Sequence, residues 1–236
     1  MGKIKSIPII QKTKIIEQVI EVLKDYILKG NFLNGDYLPS EIELCKQMGI
    51  GRSTLREAVK TLESQGFVKK NHGVGVMVVD ESLKATSDML RLMLKRKGST
   101  KEELFEVRRI NEIRIAELAA INATQENLDE IEKHLKTMRN SMSTNKEYLN
   151  ADIEFHLAIA KASQNKIFTM ILQIIRPLLE DMIQETLKEH HRPEKSMKFH
   201  ERIFLSIKNK DPNLSALAMK EHLEGTKSLL GLNFHL

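Results

Sequence analysis

Four residues in the second half of the chain, Asp152, His156, His200 and His222, have types and positions suited to metal chemistry. Asp152 and His156 are four residues apart in a predicted helix, so they share a face. His200 and His222 lie on or beside the apolar faces of two later predicted helices. One carboxylate and three imidazoles suit Zn²⁺, or Ni²⁺, Mn²⁺ or Fe²⁺ with further oxygen ligands. The alternative is a set of hydrogen-bonded core histidines, which is the commoner role of an inward-facing histidine.

A second candidate for chemistry is a short amphipathic helix predicted from Arg52 to Gln65. Its apolar residues fall on one side: Leu55, Ala58, Val59 and Leu62. Ser53, Arg56 and Lys60 lie on the opposite side, and Arg52 is at the amino end, where recognition helices meet base edges in DNA. An arginine can bind guanine bidentately, and hydroxyl groups can bind phosphates or bases. The alternative is an ordinary helix with a solvated charged face.

The elements around this helix predict a winged helix-turn-helix. A first helix carries apolar residues at helical spacing from Ile15 to Ile27 and ends near Gly30. A capping box of Ser40 and Glu43 begins the second helix, and Gly66 ends the third. A β-hairpin follows, from Phe67-Val68 through the tip Asn71-His72-Gly73 to Val74–Val79. Lys69 and Lys70 flank this wing, and a glycine at the tip allows close approach to a minor groove.

After Asp80 every predicted element is helical. The predicted helices contain or span Met89–Leu94, Leu104–Asn122, a helix starting at Thr124, 146–163, 166–190, 194–208 and 212–230. Ser99 and Glu102 are predicted as a capping box, and the methionine-rich stretch Met89–Met93 as core. His190 to Pro193 is predicted as a loop. We therefore expect a mainly α protein: a DNA-binding domain over 1–80 and an all-α helical bundle sensor domain over 81–236.

Composition limits the classes of protein that this chain can represent. It has 236 residues, a net charge of +5, 41% hydrophobic and 29% charged residues, which fits two modest domains. The single cysteine, Cys45, excludes a disulfide framework and a multi-cysteine zinc site. With no long apolar run and no secretion signal, we expect a cytoplasmic protein without membrane contact. Lys3, Lys5, Lys12 and Lys14 suggest an arm along DNA phosphates or, equally, a solubilising tail.

The segment from Asp36 to Val79 resembles the DNA-binding domain of GntR-type regulators. The match includes Leu38-Pro39-Ser40-Glu41, Arg52-Ser53-Thr54-Leu55-Arg56-Glu57-Ala58, Gly66 and Gly73. The resemblance implies that Arg52 and Arg56 contact bases or phosphates, that Ser53 and Thr54 contact phosphate, and that His72 and Gly73 form the wing contact. Two departures, Ile42 in place of arginine and Gly51 in place of serine or threonine, remove contacts, so the operator sequence cannot be transferred.

The segment from Leu104 to Leu230 resembles the FCD sensor domain of the FadR subfamily. The matching stretches are LFEVRRINEIRIAELAAINAT, ADIEFHLAIAKASQN, FHERIFLSIKNKD and AMKEHL. The resemblance implies a divalent metal, most readily zinc, on Asp152, His156, His200 and His222. It also implies that Arg108 binds a small carboxylate effector near the metal. The alternative for Arg108 is a surface ion pair with Glu112, four residues further along the helix.

Together these features predict a homodimeric transcriptional regulator that reads a pseudo-palindromic operator. The resemblance favours a repressor released by a small organic acid over an activator. A second hypothesis is a metal-dependent hydrolase or lyase, but no additional acid or base is evident beside the four ligands. A third is a metal sensor, in which the ion itself is the signal.

Overall fold

A computed structural model of the chain describes residues 12–190, 193–229 and 231–232. The chain divides into two compact units, Met1–Asp88 and Met89–Leu236. The predicted boundary between residues 80 and 81 lies eight residues before this division. The helix that runs across it, α4 (Ser82–Lys97), begins earlier than the apolar pattern from Met89 indicates.

The first unit has the predicted order of three helices and a hairpin. These are α1 (Lys12–Leu28), α2 (Glu41–Met48), α3 (Arg52–Ser64), β1 (Val68–Asn71) and β2 (Gly75–Val78). The strands pair antiparallel, with Val68 opposite Val78 and Asn71 opposite Gly75. Helix α1 packs against α3 over a core that includes Val19, Leu23, Leu55, Leu62, Val68 and Val78. The winged helix-turn-helix prediction is confirmed.

The second unit is helical throughout the part that the structure describes. After α4 come α5 (Lys101–Asn122), α6 (Gln125–Asn140), α7 (Asn145–Ala162), α8 (Lys166–His190), α9 (Pro193–Lys208) and α10 (Pro212–Leu229). Helix α5 packs against α7 and α10, and α10 packs against α9. Helices α5, α7, α9 and α10 therefore surround one interior, which is where the four candidate metal ligands lie.

Local signals set most helix ends, with two corrections. The Asp211 carboxylate accepts a hydrogen bond from the Leu214 N–H at 2.9 Å and so caps α10. The capping box of α5 is formed by Thr100 and Glu103, one residue later than the predicted Ser99 and Glu102.

At α2, only half of the predicted capping box forms. The Ser40 hydroxyl accepts from the Glu43 N–H at 3.2 Å, while the Glu43 carboxylate accepts from the Gln47 side chain at 3.0 Å instead.

The prediction that the stretch Met89–Met93 belongs to the core is wrong, because Met89 and Met93 are 60% and 55% exposed.

Candidate metal centre and DNA-reading face

Three helices bring the four candidate ligands to one point. Helix α7 carries Asp152 and His156 one turn apart, α9 carries His200, and α10 carries His222. One ligand atom from each residue lies within 4.8 Å of all the others. The His200 Nε2 atom is 2.9 Å from Asp152 Oδ1, and the centroids of the His200 and His222 rings are 4.4 Å apart. The sequence separates these side chains by up to 70 positions, and the fold brings them together.

The hydrogen bonding of the histidines is incomplete, although all three rings are buried. None of the ring nitrogens of His156 and His200 makes a hydrogen bond of regular geometry with the described residues, although His156 Nδ1 contacts Glu112 and His200 Nε2 contacts Asp152. Buried polar groups in folded proteins are nearly always hydrogen-bonded, so the simple core role leaves these nitrogens unexplained. The residues therefore fit a divalent cation, which is a natural partner for several unprotonated imidazole nitrogens at one point.

The electrostatics of the cluster favour the protonation states that bind metal. Burial alone would raise the pKa of Asp152, but the imidazoles of His200, His156 and His222 outweigh it and hold that pKa well below its usual value. Burial lowers the pKa of His200, against the pull of Asp152, and it lowers the pKa of His222 well below the usual range. At neutral pH the carboxylate is thus ionised, and His200 and His222 are neutral, as metal ligation requires.

Arg108 lies beside this cluster, and it is not the surface residue of the alternative interpretation. Its side chain is 4% exposed, and its Nε donates to Glu112 Oε1 at 2.6 Å. The other carboxylate oxygen, Glu112 Oε2, contacts His156 Nδ1. Burial alone would raise the pKa of Glu112, but Arg108 and His156 lower it to about 2. The i, i+4 ion pair therefore exists in the interior, and Glu112 joins Arg108 to a candidate metal ligand.

Glu112 belongs to the candidate site, but the sequence pattern does not predict it there. The i, i+4 spacing indicates its pairing with Arg108, whereas its contact with His156 joins α5 to α7. A cavity of about 20 Å³ lies on this side of the cluster and is lined by Arg108, Glu112, His156, Arg176 and four aliphatic side chains. This is room for about one water molecule.

The candidate DNA-reading face consists of α3 and the hairpin of the first unit. Arg52, Ser53 and Arg56 are exposed on α3, as the amphipathic pattern predicts, whereas Thr54 is only 9% exposed. A phosphate contact by Thr54 would therefore have to use little side-chain surface. The Arg56 guanidinium pairs with Glu41, with Nη2 2.9 Å from Oε2.

The wing presents Lys69, Lys70, His72 and Gly73 to solvent. Gly73 has a φ of 78°, the left-handed conformation that a tight tip requires. This is the geometry that a contact with a DNA groove would use.

The two departures from the family pattern have structural counterparts. Ile42 is 66% exposed on α2, and Gly51 caps α3 without a side-chain hydrogen bond.

Of the proposed basic arm, Lys3 and Lys5 lie outside the described residues. Lys12 and Lys14 belong to α1, so the arm does not extend that far. His190 ends α8 and Pro193 begins α9, while residues 191 and 192 of the predicted loop are outside the described range. Within that range, no helix is long and apolar enough to cross a membrane.

Each half of the chain matches the model of a known protein family. Residues 15–78 match the family model of bacterial regulatory proteins of the gntR family, and residues 103–225 match the FCD domain. The HTH-type transcriptional regulator LutR of Bacillus subtilis (strain 168) is 30% identical over 209 residues, which cover 86% of this chain and 95% of LutR. The Glc operon transcriptional activator of Escherichia coli (strain K12) is 28% identical, covering 93% and 90% of the two chains.

The HTH-type transcriptional repressor NanR of Klebsiella aerogenes is also 28% identical, covering 92% of this chain and 85% of NanR. A solved structure of Streptococcus agalactiae GntR superimposes with a TM-score of 0.75 at 27% identity, covering 90% of this chain and 99% of that one. These relatives are transcriptional regulators and not enzymes, so the hydrolase hypothesis is rejected. The chain belongs to the GntR family of bacterial DNA-binding transcriptional regulators, with the helix-turn-helix and FCD domains of a FadR-like member.

Proposed function

We propose that this regulator binds its operator under the control of a small carboxylate held at a metal site in the second unit. The observation that carries the proposal is the convergence of Asp152, His156, His200 and His222 beside the buried Arg108. A cation next to a guanidinium is a strong attractor for an anion in a site with little water.

The proposed ion is zinc, resident in the protein, with Ni²⁺, Mn²⁺ and Fe²⁺ as competitors for the same ligands. Nitrogen and carboxylate ligands suit all four ions, and zinc accepts three histidines and one carboxylate readily. The ion would link α7, α9 and α10, so its binding free energy would also stabilise the fold. In this account the ion anchors the effector and is not itself the signal.

The proposed effector is a small carboxylate between the ion and Arg108. Asp152 offsets only part of the ion's charge. Arg108 is paired with Glu112 through Nε, and its remaining N–H groups are the donors proposed for the anion. Because the cavity beside Arg108 holds only about 20 Å³, an effector has to displace side chains to reach the guanidinium. Such displacement is one way in which effector binding could alter helix packing and thereby the affinity of the protein for DNA.

We also propose a homodimer that uses the second unit, because a pseudo-palindromic operator requires two reading heads related by a two-fold axis. The second unit carries large apolar side chains in solvent on α4 and α5. They are Met89, Leu92, Met93, Val107 and Ile110, which are 43–67% exposed. An apolar surface of this kind is typical of a subunit interface.

The sign of regulation is proposed as repression relieved by the effector. The relatives do not decide it, since NanR is named a repressor and the Glc operon protein an activator at the same 28% identity. A chromosomal operator would place the protein in the bacterial cytoplasm.

Fluorescence anisotropy with DNA selected from a random library tests this function. Protein loaded with zinc is titrated onto the selected DNA, alone and with a panel of mono-, di- and hydroxycarboxylates. At least one carboxylate should change DNA affinity fivefold or more, roughly the lower limit of typical allosteric coupling. The response should disappear when a chelator removes the metal. Carboxylate binding without any change in DNA affinity, or a response that persists without metal, would contradict the proposal.

A further inference from the structure

Arg108, Glu112 and His156 form an unbroken series of contacts through the interior of the second unit. The Arg108 Nε atom is 2.6 Å from Glu112 Oε1, and Glu112 Oε2 contacts His156 Nδ1. The side chains of these residues are 4%, 1% and 3% exposed. The adjoining cavity has room for about one water molecule, so bulk solvent cannot exchange freely with these partners.

When the imidazole is neutral, the donors and acceptors in this series can be arranged in one way only. A guanidinium has hydrogen-bond donors and no acceptor, and an ionised carboxylate has acceptors and no donor. Glu112 is held as a carboxylate by its buried ion pair with Arg108, whose Nε donates to Oε1 at 2.6 Å. A neutral imidazole that contacts this carboxylate through Nδ1 therefore carries its proton on Nδ1, which leaves a lone pair on Nε2.

We propose that Glu112 is a positioning residue that fixes the tautomer of His156, with Arg108 fixing Glu112 in turn. The inference rests on the metal site of the proposed function, because the Nε2 lone pair is what a metal would bind. In the structure this Nε2 atom is buried and has no hydrogen-bond partner among the described residues. The series thus leaves one nitrogen of His156 free for a metal.

The substitution Glu112→Gln should weaken metal binding by selecting the other tautomer of His156. A glutamine side chain has one acceptor oxygen and one donor nitrogen. Because Arg108 can only donate, the amide oxygen must face Arg108 and the amide nitrogen must face His156. The imidazole then has to accept at Nδ1 and carry its proton on Nε2, the atom needed for the metal. An isosteric change that leaves the packing intact would therefore select the wrong tautomer.

Removing Arg108 should partly undo this effect. In the double variant Arg108→Met, Glu112→Gln, the amide is free to rotate and present its oxygen to His156 Nδ1. The imidazole can then return to the tautomer with a free Nε2. The two substitutions should consequently be non-additive, with the second improving the metal affinity of the first.

Chelator competition with zinc on the full-length chain measures this prediction. Glu112→Gln should weaken zinc binding about 10- to 100-fold, as expected for loss of a carboxylate that orients a metal-bound histidine. The double variant should bind zinc more tightly than Glu112→Gln alone. Glu117→Gln is the matched control, because Glu117 lies on the same helix and pairs with Arg114 at 2.7 Å on the surface. An equal loss with and without Arg108, or the same loss in Glu117→Gln, would overturn the proposal.

The tautomer itself can be read in metal-free protein from the ¹⁵N chemical shifts of the His156 ring. The wild type should show the Nδ1–H form and Glu112→Gln the Nε2–H form, whereas a purely structural role for Glu112 would leave the tautomer unchanged. If the double variant fails to fold, this measurement on Glu112→Gln still decides, and an unchanged tautomer overturns the inference. If the wild type binds no zinc, the proposed function fails, while the ¹⁵N shifts independently test the series of contacts.

Discussion

Replacing Gly66 by alanine should destabilise the DNA-binding unit more than any other glycine substitution at a helix end in that unit. Gly66 follows α3 with a φ of 75°, a conformation that costs an L-residue about 1–2 kcal/mol. A Cβ atom at this position would lie 2.5 Å from the backbone carbon and oxygen of Glu81 and 2.7 Å from the nitrogen of Ser82. These are backbone atoms at the start of α4, so they cannot move aside as a flexible side chain can.

The steric cost adds to the conformational cost. The Glu81 N–H donates to the Gly66 carbonyl at 3.0 Å, and relieving the overlap would stretch or break this bond, at about 0.5–1.5 kcal/mol. We therefore expect a total of about 1.5–3.5 kcal/mol. Gly49→Ala is the matched control. Gly49 also ends a helix, with a φ of 63°, but a Cβ there would meet nothing within 4 Å, so only the conformational cost applies.

Hydrogen exchange of the backbone amides of α3 and β2 in the full-length chain measures this difference. Exchange reports the free energy of opening of the unit that contains these amides, without requiring the two units to unfold together. Gly66→Ala should lower that free energy by about 0.5–1.5 kcal/mol more than Gly49→Ala. Equal losses in the two variants would show that the close approach of Gly66 to Glu81 does not occur in the protein.

Three further predictions concern function. Arg52→Ala and Arg56→Ala should each weaken binding to selected DNA about 5- to 150-fold in a gel-shift assay. Lys69→Ala should make DNA affinity less dependent on salt concentration. Wild-type binding by both arginine variants would reject α3 as the recognition helix. Light scattering of the full-length chain should give about twice the 27.1 kDa chain mass, and Leu92→Lys should lower it; a monomeric wild type would refute the homodimer. Arg108→Ala should cut carboxylate affinity about 10- to 100-fold in calorimetry with normal metal content, and unchanged affinity would exclude Arg108 from the effector site.

The sequence predicts which faces of α7, α9 and α10 turn inward because these signals are local to each helix, and the resemblance to the FCD domain implies that their histidines and Asp152 share one metal. Asp152 and His156 share a face by spacing alone, and the apolar residues around His200 and His222 indicate which face turns inward. Glu112 could not be found in this way. Its pairing with Arg108 follows from i, i+4 geometry, but its contact with His156 depends on how α5 packs against α7. That packing is a tertiary property that periodicity does not encode.

The errors in the predicted elements have similar causes. Ser99 with Glu102 and Thr100 with Glu103 both fit the capping-box pattern, and only the backbone conformation selects the second pair. Met89 and Met93 recur at helical spacing, which predicts a shared face on α4. Spacing does not reveal whether that face meets the core of the same chain or remains on the surface, where it is found.

The metal content of the protein tests the central claim most directly. Protein purified without a histidine tag or added metal, and analysed by elemental mass spectrometry, should contain about one divalent ion per chain, with zinc the expected ion. His156→Ala should lose the ion and melt at a lower temperature, because the ion would link three helices. A folded wild-type protein without metal, even after exposure to zinc, would contradict the account, as would a His156→Ala protein that retains the ion at full stoichiometry.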